Sequence, residues 1–339
     1  TGGTDNVSFA GIASENQTVS IPLSSDTKLE DNETLTLRLG SVSRSGITIT
    51  DTGTVTIQND DSAAVTIADV SVAESVAGGT ATITLSLDNA VQGGFTVDVF
   101  TDNGTALSGA GNDYTALSGV AQTVSFAGTA SENQTVSITL DNDTIAEGNE
   151  EFYVRMSNLG STSLPVTISD NATVTITDDD TATVTIADNS SLEDSGTVSV
   201  TLTSDKAVQG GFTLDVFTDN GSASTGDSDF TALSGVAQTV TFSGNAGESQ
   251  TVSISLTADS KLEDDEQFSV RMSNSSKPAL MTITDTATVT IINDDNATVT
   301  ISDNTTAEDS GPSVVRLSVD NPVQGGFWVT VIRDNGTAN

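Results

Sequence analysis

The feature that most constrains this chain is a long internal repeat. VQGGF occurs at 91–95, 208–212 and 323–327, and TDNG or RDNG follows at 101–104, 218–221 and 333–336. QTVSI recurs at 17–21, 134–138 and 250–254, and an acidic pair closes each unit at Asp60 and Asp61, Asp179 and Asp180, and Asp294 and Asp295. Phe95 and Phe212 are 117 residues apart, and Phe212 and Phe327 are 115 apart. A period of that length means whole domains in tandem, since solenoid repeats run at roughly 20–50 residues. The frame gives two complete modules, 62–180 and 181–295. Residues 1–61 match the second half of a module and residues 296–339 the first half of another. The simplest expectation is an excerpt from a longer array; the alternative is half-modules that complete one another between neighbouring chains by strand donation.

Within a module, apolar and polar residues alternate at period two, the mark of half-buried strands. Ile83/Leu85/Leu87, Phe95/Val97/Val99, Val136/Ile138/Leu140, Phe152/Val154/Met156 and Val174/Ile176 form the expected inward rows, with Thr, Ser and Asp between them facing water. No stretch sustains helical periodicity. Seven or so strands per repeat fit an all-β fold of tandem immunoglobulin-like antiparallel β-sandwiches. The VQGGF runs lack phosphate-loop spacing and a following helix, and read as turns entering a strand.

The chain carries 47 acidic and 10 basic residues, a formal net charge of -37, with no cysteine and no histidine. Nucleic acid and anionic membrane surfaces are disfavoured as partners by repulsion. Disulfides are excluded, zinc and copper are poorly served, and hard oxygen-seeking cations remain. Charge-relay and thiol catalysis lose their usual members. No apolar run approaches the roughly 20 residues that span a bilayer. No signal peptide is read at the start, which carries no information because the sequence starts inside a repeat. Solubility or salt tolerance would account for the charge, but not for its placement.

The acids recur at fixed points of the repeat. Glu74, Glu193 and Glu308 come early; Asp113 and Asp229 precede an aromatic residue. A D-x-x-x-E-x-x-E pattern follows at Asp143/Glu147/Glu150 and Asp259/Glu263/Glu266, with Asp26/Glu30/Glu33 in the leading half. Each module ends on an acidic run: Asp178, Asp179 and Asp180; Asn293, Asp294 and Asp295; Asp60 and Asp61. All are expected at strand ends or turns, and sandwich loops gather at the two ends of the fold. Carboxylates converging there would raise one another's pKa. A calcium ion, which takes six to eight oxygens in flexible geometry, removes that cost better than magnesium does.

These runs resemble the Calx-β domain, a calcium-binding β-sandwich of sodium–calcium exchangers, integrin β4 and many bacterial surface proteins. The resemblance rests on 72–74, on 111–114, on the D-x-x-x-E-x-x-E-x-F of 143–152 and on VTITDDD at 174–180, and it covers nearly the whole chain. It implies Ca2+ ligands at Glu74, Asp113, Asp143, Glu147, Asp178, Asp179 and Asp180. In the second module it implies Glu193, Asp229, Asp259, Glu263, Asp294 and Asp295. By repeat position Asp26, Glu30, Asp60, Asp61 and Glu308 join them. Two departures weaken the set: exchanger sensors have paired Asp where this chain has Asn142–Asp143 and Ala258–Asp259, and Asn293 replaces an Asp. Glu150 and Glu266 are expected to be solvated or paired with Arg155 and Arg271.

Trp328 stands where Thr96 and Thr213 occur in the other repeats, an outward strand position. Sequons such as Asn103, Asn133, Asn171, Asn220 and Asn296 arise readily in a Thr- and Asn-rich chain. Paired carboxylates also hydrolyse glycosides, but here they repeat in every module without aromatic sugar platforms, so no enzyme is expected. The expected function is a calcium-stiffened repeat stalk of a large bacterial cell-surface or secreted adhesin or filament. Its partners would be neighbouring repeats of the same chain and other copies in a filament. The alternatives are an adhesive module gripping polysaccharide or protein, and a calcium sensor.

Overall fold

The computed structural model describes all residues except 1–2, 77–78, 110–111, 118–121, 169, 234–237, 335 and 338–339. Gly111 and Asn335, members of two repeated runs, thus lie outside the described residues. The strands, in chain order, begin with β1 (Glu33–Arg38) and β2 (Thr52–Ile57) in the leading segment. The next repeat holds β3 (Val65–Ile67), β4 (Val70–Ala73), β5 (Thr80–Leu87), β6 (Phe95–Asn103), β7 (Gln122–Phe126), β8 (Asn133–Thr139), β9 (Glu150–Gly160) and β10 (Asn171–Thr177). The following one holds β11 (Ala182–Ile186), β12 (Asn189–Leu192), β13 (Thr197–Ser204), β14 (Phe212–Asp219), β15 (Gln238–Phe242), β16 (Ser249–Ser255), β17 (Glu266–Ser273), β18 (Met281–Thr282) and β19 (Thr286–Ile292). The trailing segment adds β20 (Val299–Ile301) and β21 (Leu317–Val319). Among the described residues the only helical elements are single 3₁₀ turns at Glu193–Ser195 and Glu308–Ser310.

Two compact units divide the chain. The first comprises Thr1–Val72, Val76–Asp141 and Glu150–Ile176; the second comprises Ala73–Ser75, Asn142–Asn149 and Thr177–Asn339. In the second unit one sheet runs β12-β19-β17-β14-β15 and the other β16-β13-β11-β18. The corresponding sheets of the preceding repeat run β4-β10-β9-β6-β7 and β3-β5-β8. The period-two rows account for this. Strand β5 alternates buried and exposed so that Ala81, Ile83, Leu85 and Leu87 face inward, and β13 does the same with Val198, Val200 and Leu202. Each repeat packs these rows against the opposite sheet in its own core of aliphatic and aromatic side chains, and apolar area removed from water stabilises it by roughly 25 cal/mol per Å².

In the second unit the strand pairs are antiparallel except those made by the two parts of the first strand. β12 pairs parallel with β19, and β11 pairs parallel with β18. The cause is local: the first strand of the repeat breaks at Ala187–Asp188 and its second part crosses to the other sheet, a usual way for a sandwich to close its corner. That crossing delivers Glu193, the residue after β12, to the end of β19, where the acidic closing run begins. Sequence order thus brings the early acid and the late acids together.

Candidate metal centre

The acidic site is best seen in the second unit, where the elements that carry it are complete. Glu193 is 8% exposed although it is a carboxylate, and it opens a 3₁₀ turn that ends on Gly196 in the left-handed region. Glu193, Asp259 and Asp295 each bring a carboxylate oxygen within 4.8 Å of the others, and Asp229, Glu263 and Glu266 do the same. One small concavity is lined by Glu193, Asp229, Glu263 and Glu266 with Asn293, so the two groups adjoin.

Each side chain has an identifiable positioner. The aromatic after Asp229 is the anchor of its loop: Phe230 is buried and stacks on Phe268 with ring centroids 4.1 Å apart. Such a pair contributes about 0.5–1.5 kcal/mol beyond its area. Phe268 lies two residues into β17 from Glu266, so the stack sets Asp229 beside Glu266. The D-[YF] and E-x-F runs are therefore two halves of one device, and Tyr114 on Phe152, at 4.0 Å, repeats it. Asp229 accepts the Ser224 N–H at 2.6 Å, and Glu193 accepts the Asp259 N–H at 3.1 Å. Asn293 braces rather than charges the site: its Oδ1 accepts the Glu263 N–H at 3.0 Å and its Nδ2 donates to the Asp295 carbonyl at 3.1 Å.

The electrostatics follow from burial and crowding. Burial first, and then the charges of Asp259, Asp295 and Glu263, push the Glu193 pKa up to about 7. Burial also raises Asp295 and Glu266, with Asp194 and Asp229 respectively the leading charged neighbours. A buried oxygen of Asp295, Oδ2, has no hydrogen-bond partner. An orphaned, desolvated anionic oxygen facing other carboxylates is costly unless a cation completes it. The donor set of the close groups is all carboxylate oxygen, with no nitrogen or sulfur ligand, which fits calcium.

The preceding repeat shows the same construction. Glu74, 5% exposed, lies with Asp178 and Asp180 within the same 4.8 Å limit, and accepts the Asp143 N–H at 2.5 Å. Burial and the charges of Asp143, Asp178 and Asp180 raise its pKa, and burial likewise raises Asp178. Asp113 accepts the Leu107 N–H at 2.6 Å, and Asp113 and Glu150 bring carboxylate oxygens within 4.8 Å. Glu147 is the repeat equivalent of Glu263. Asp143 itself turns a carboxylate oxygen to the Ile145 N–H at 2.6 Å, and Asp179 accepts the Ser75 hydroxyl. Asp294 is exposed and outside the close groups.

The partial repeats differ. Asp26 accepts the Lys28 N–H at 3.0 Å, Glu30 pairs with Lys28 at 2.9 Å, and burial followed by the charges of Asp60, Asp26 and Glu30 raises the Asp61 pKa. Glu308 opens an exposed 3₁₀ turn. Among the described residues none of Asp26, Glu30, Asp60, Asp61 and Glu308 joins a close group of three.

Glu150 and Glu266 depart from expectation. Arg155 pairs with Asp102 at 2.5 Å and Arg271 with Asp219 at 2.6 Å, while Glu150 lies close to Asp113 and Glu266 close to Asp229 and Glu263. The signal that would have placed Glu266 in the site is the aromatic two residues beyond it. Lysines are the other unforeseen members. Lys261 pairs with Glu263 at 2.7 Å and Lys206 with Asp180 at 2.6 Å. An ammonium bonded to a ligand carboxylate competes with an entering ion. Lys261→Ala is therefore expected to tighten calcium binding up to about fivefold, the worth of an exposed ion pair, measured by titration calorimetry; unchanged affinity would exclude the lysine as a competitor.

Serial all-β sandwiches with oxygen-only acidic sites at strand ends define a class of tandem metal-binding β-sandwich proteins. The family model for the Calx-beta domain matches residues 4–70, 58–189 and 178–305, and the chain belongs to the Calx-beta family. Domains of this family are calcium-binding repeat modules. Among solved structures, the chain is similar to CBD12 from CALX1.2, with 18% identity over 62% of this chain and 80% of that one and a TM-score of 0.31. It is also similar to the calcium binding domain CBD12 of CALX1.1, with 20% identity over 62% and 80% and a TM-score of 0.30. The apo-form Calx CBD1 domain matches with 22% identity over 34% of this chain and all of that one, at a TM-score of 0.29. No curated protein sequence matches significantly. No helix among the described residues is long and apolar enough to cross a membrane.

Proposed function

We propose that the chain is a calcium-stiffened repeat segment of a large cell-surface or secreted bacterial adhesin or filament. The observation that carries this reading is recurrence: a buried glutamate meets the acidic closing run in both complete repeats, as Glu74 with Asp178 and Asp180 and as Glu193 with Asp259 and Asp295. A receptor-binding tip is normally unlike its neighbours, whereas a stalk repeats itself. When bound, calcium would neutralise the close carboxylates. Glu193, Asp259, Asp295, Asp229, Glu263 and Glu266 would hold it in one repeat, and Glu74, Asp178 and Asp180 in the other. The cysteine-free chain then gains from metal the stability that secreted domains often take from disulfides.

Equilibrium dialysis against calcium, followed by metal analysis, is expected to show bound ions in excess of those retained with magnesium. Small-angle scattering is expected to give a longer maximum dimension and less flexibility in calcium than in chelator. Absence of bound calcium would overturn the site, and scattering unchanged between the two conditions would overturn the stiffening role even with calcium bound.

A further inference from the structure

The VQGG turns make one contact three times. Leu29 donates its N–H to the Ala90 carbonyl and accepts the Gln92 N–H, both at 2.9 Å. Ala146 donates to Ala207 at 2.9 Å and accepts from Gln209 at 3.1 Å, and Leu262 donates to Pro322 and accepts from Gln324, both at 2.9 Å. Each is a parallel β-bridge, Leu29 to Val91, Ala146 to Val208 and Leu262 to Val323. Leu29, Ala146 and Leu262 occupy the same position in the D-x-x-[LA]-E loop of one repeat, between its Asp and its Glu. Val91, Val208 and Val323 open the turn of the next.

The glutamine adds a side-chain bond to the same loop. Gln92 accepts the Asp31 N–H at 3.1 Å, Gln209 donates to Glu147 at 3.2 Å, and Gln324 both accepts from Asp264 and donates to Glu266 at 3.1 Å. Leu29 with Val91, and Ala146 with Val208, are at most 2% exposed. The loop Asn142–Asn149 accordingly sorts with the second unit, away from the strands that flank it in sequence.

We propose that the VQGG turn is a docking element whose partner is the acidic loop of the preceding repeat, and that this clasp fixes one repeat on the next. It deepens the stalk reading and rests on it for its biological role, but its bonds need no ion. Main-chain bonds supply most of the contact, which explains why Leu and Ala both serve on the loop. The turn side is more demanding: Gly211 donates to Val208 across the turn at 3.0 Å, and Gly210 has φ 69°. That is a turn whose second residue, here Gln209, tolerates proline.

Gln209→Pro tests the clasp in the full chain, because it deletes the N–H given to Ala146 and substitutes no proposed calcium ligand; Gln209→Ala loses the same side-chain bond to Glu147 and so controls for it. Spin labels on Thr135→Cys and Thr251→Cys, exposed positions in a chain without native cysteine, report motion between repeats. The label-to-label distance distribution is expected to be narrow in the parent, at least about twofold broader in Gln209→Pro, and close to parent in Gln209→Ala, which keeps the N–H. The parent is expected to stay narrower than Gln209→Pro in chelator as well. An unchanged distribution in Gln209→Pro, with folding confirmed by circular dichroism, overturns the clasp. So does a parent that broadens in chelator to the width of the variant, which would assign the junction to the ion. Failure to bind calcium would instead overturn the stalk's metal and leave the clasp standing.

Discussion

In calcium-free solution the stability of the chain is expected to fall as pH rises from about 4.5 to about 7, and saturating calcium is expected to abolish that fall. The group behind the effect is Glu193, whose pKa in the folded chain is raised from 4.5 to about 7 by burial and by its acidic neighbours. Between those values the folded state holds a proton that the unfolded state has lost. Raising pH therefore favours unfolding, and above about 7 the full cost is present. Glu74 is raised for the same reasons and acts in the same direction. Calcium takes over the role of the proton. It binds the folded state alone, so at a free concentration of about 100 times Kd it adds about 2.7 kcal/mol per site. For a domain of this size that corresponds to a rise in Tm of about 10 °C or more.

Below pH 4.5 the slope reverses. Glu248 accepts N–H bonds from Ser243, Gly244 and Asn245 and from the Gln250 side chain, and its pKa is lowered to about 2. Its contribution is present above 4.5 and is lost as pH falls toward 2. The calcium-free chain should thus be most stable near pH 4.5 and the calcium-loaded chain near neutrality. Scanning calorimetry from pH 2 to 8 in calcium and in chelator checks both limbs; superimposable profiles in the two conditions would refute the metal centre.

The strands were legible because burial imposes a parity. Each inward row named from the sequence, such as Phe152/Val154/Met156, is buried, since a strand offers one face to the core and side chains alternate. The carboxylates were legible as a recurring set because tandem copies act as internal comparisons. Membership of the site was less legible, because recurrence reports position and not facing. Glu266 looked like a surface glutamate at a strand start, and the ring stack two residues on is what fixes its neighbours. Asn293 looked like a lost ligand, whereas it braces Glu263 through a carboxamide that both accepts and donates. The clasp was invisible for a different reason. Its bonds are main-chain, and Leu29 and Ala146 share no side-chain chemistry beyond being apolar. The parallel pairing of β12 was likewise hidden, since a strand that changes sheets keeps its alternation on both sides of the break.

Gly244→Ala is expected to be among the most damaging single substitutions in the second unit, while Gly247→Ala three residues away is expected to be mild. Both glycines have positive φ, 98° and 70°, which costs an alanine about 1–2 kcal/mol in either place. The surroundings separate them. A Cβ on Gly247 would meet nothing within 4 Å. A Cβ on Gly244 would run into the Val208 carbonyl oxygen and lie 2.9 Å from the Gly211 nitrogen and 3.0 Å from its Cα. Those are backbone atoms of the VQGG turn, so no side chain can swing aside and the turn itself must shift. Three bonds are at stake together: Gly244 accepts the Val208 N–H at 3.0 Å, Gly211 donates to Val208 at 3.0 Å, and Gly244 donates to Glu248 at 3.0 Å. Displacing Val208 also moves its bridge partner Ala146, and with it the acidic loop of the preceding repeat. Strain and lost bonds place the cost at about 3 kcal/mol or more for Gly244→Ala, against about 1 kcal/mol for Gly247→Ala. Urea denaturation of the two variants beside the parent measures the difference, and the midpoint is expected to drop about three times as far for Gly244→Ala. Equal shifts would mean that φ alone governs both sites and that the packing of this turn against the VQGG segment contributes nothing to stability.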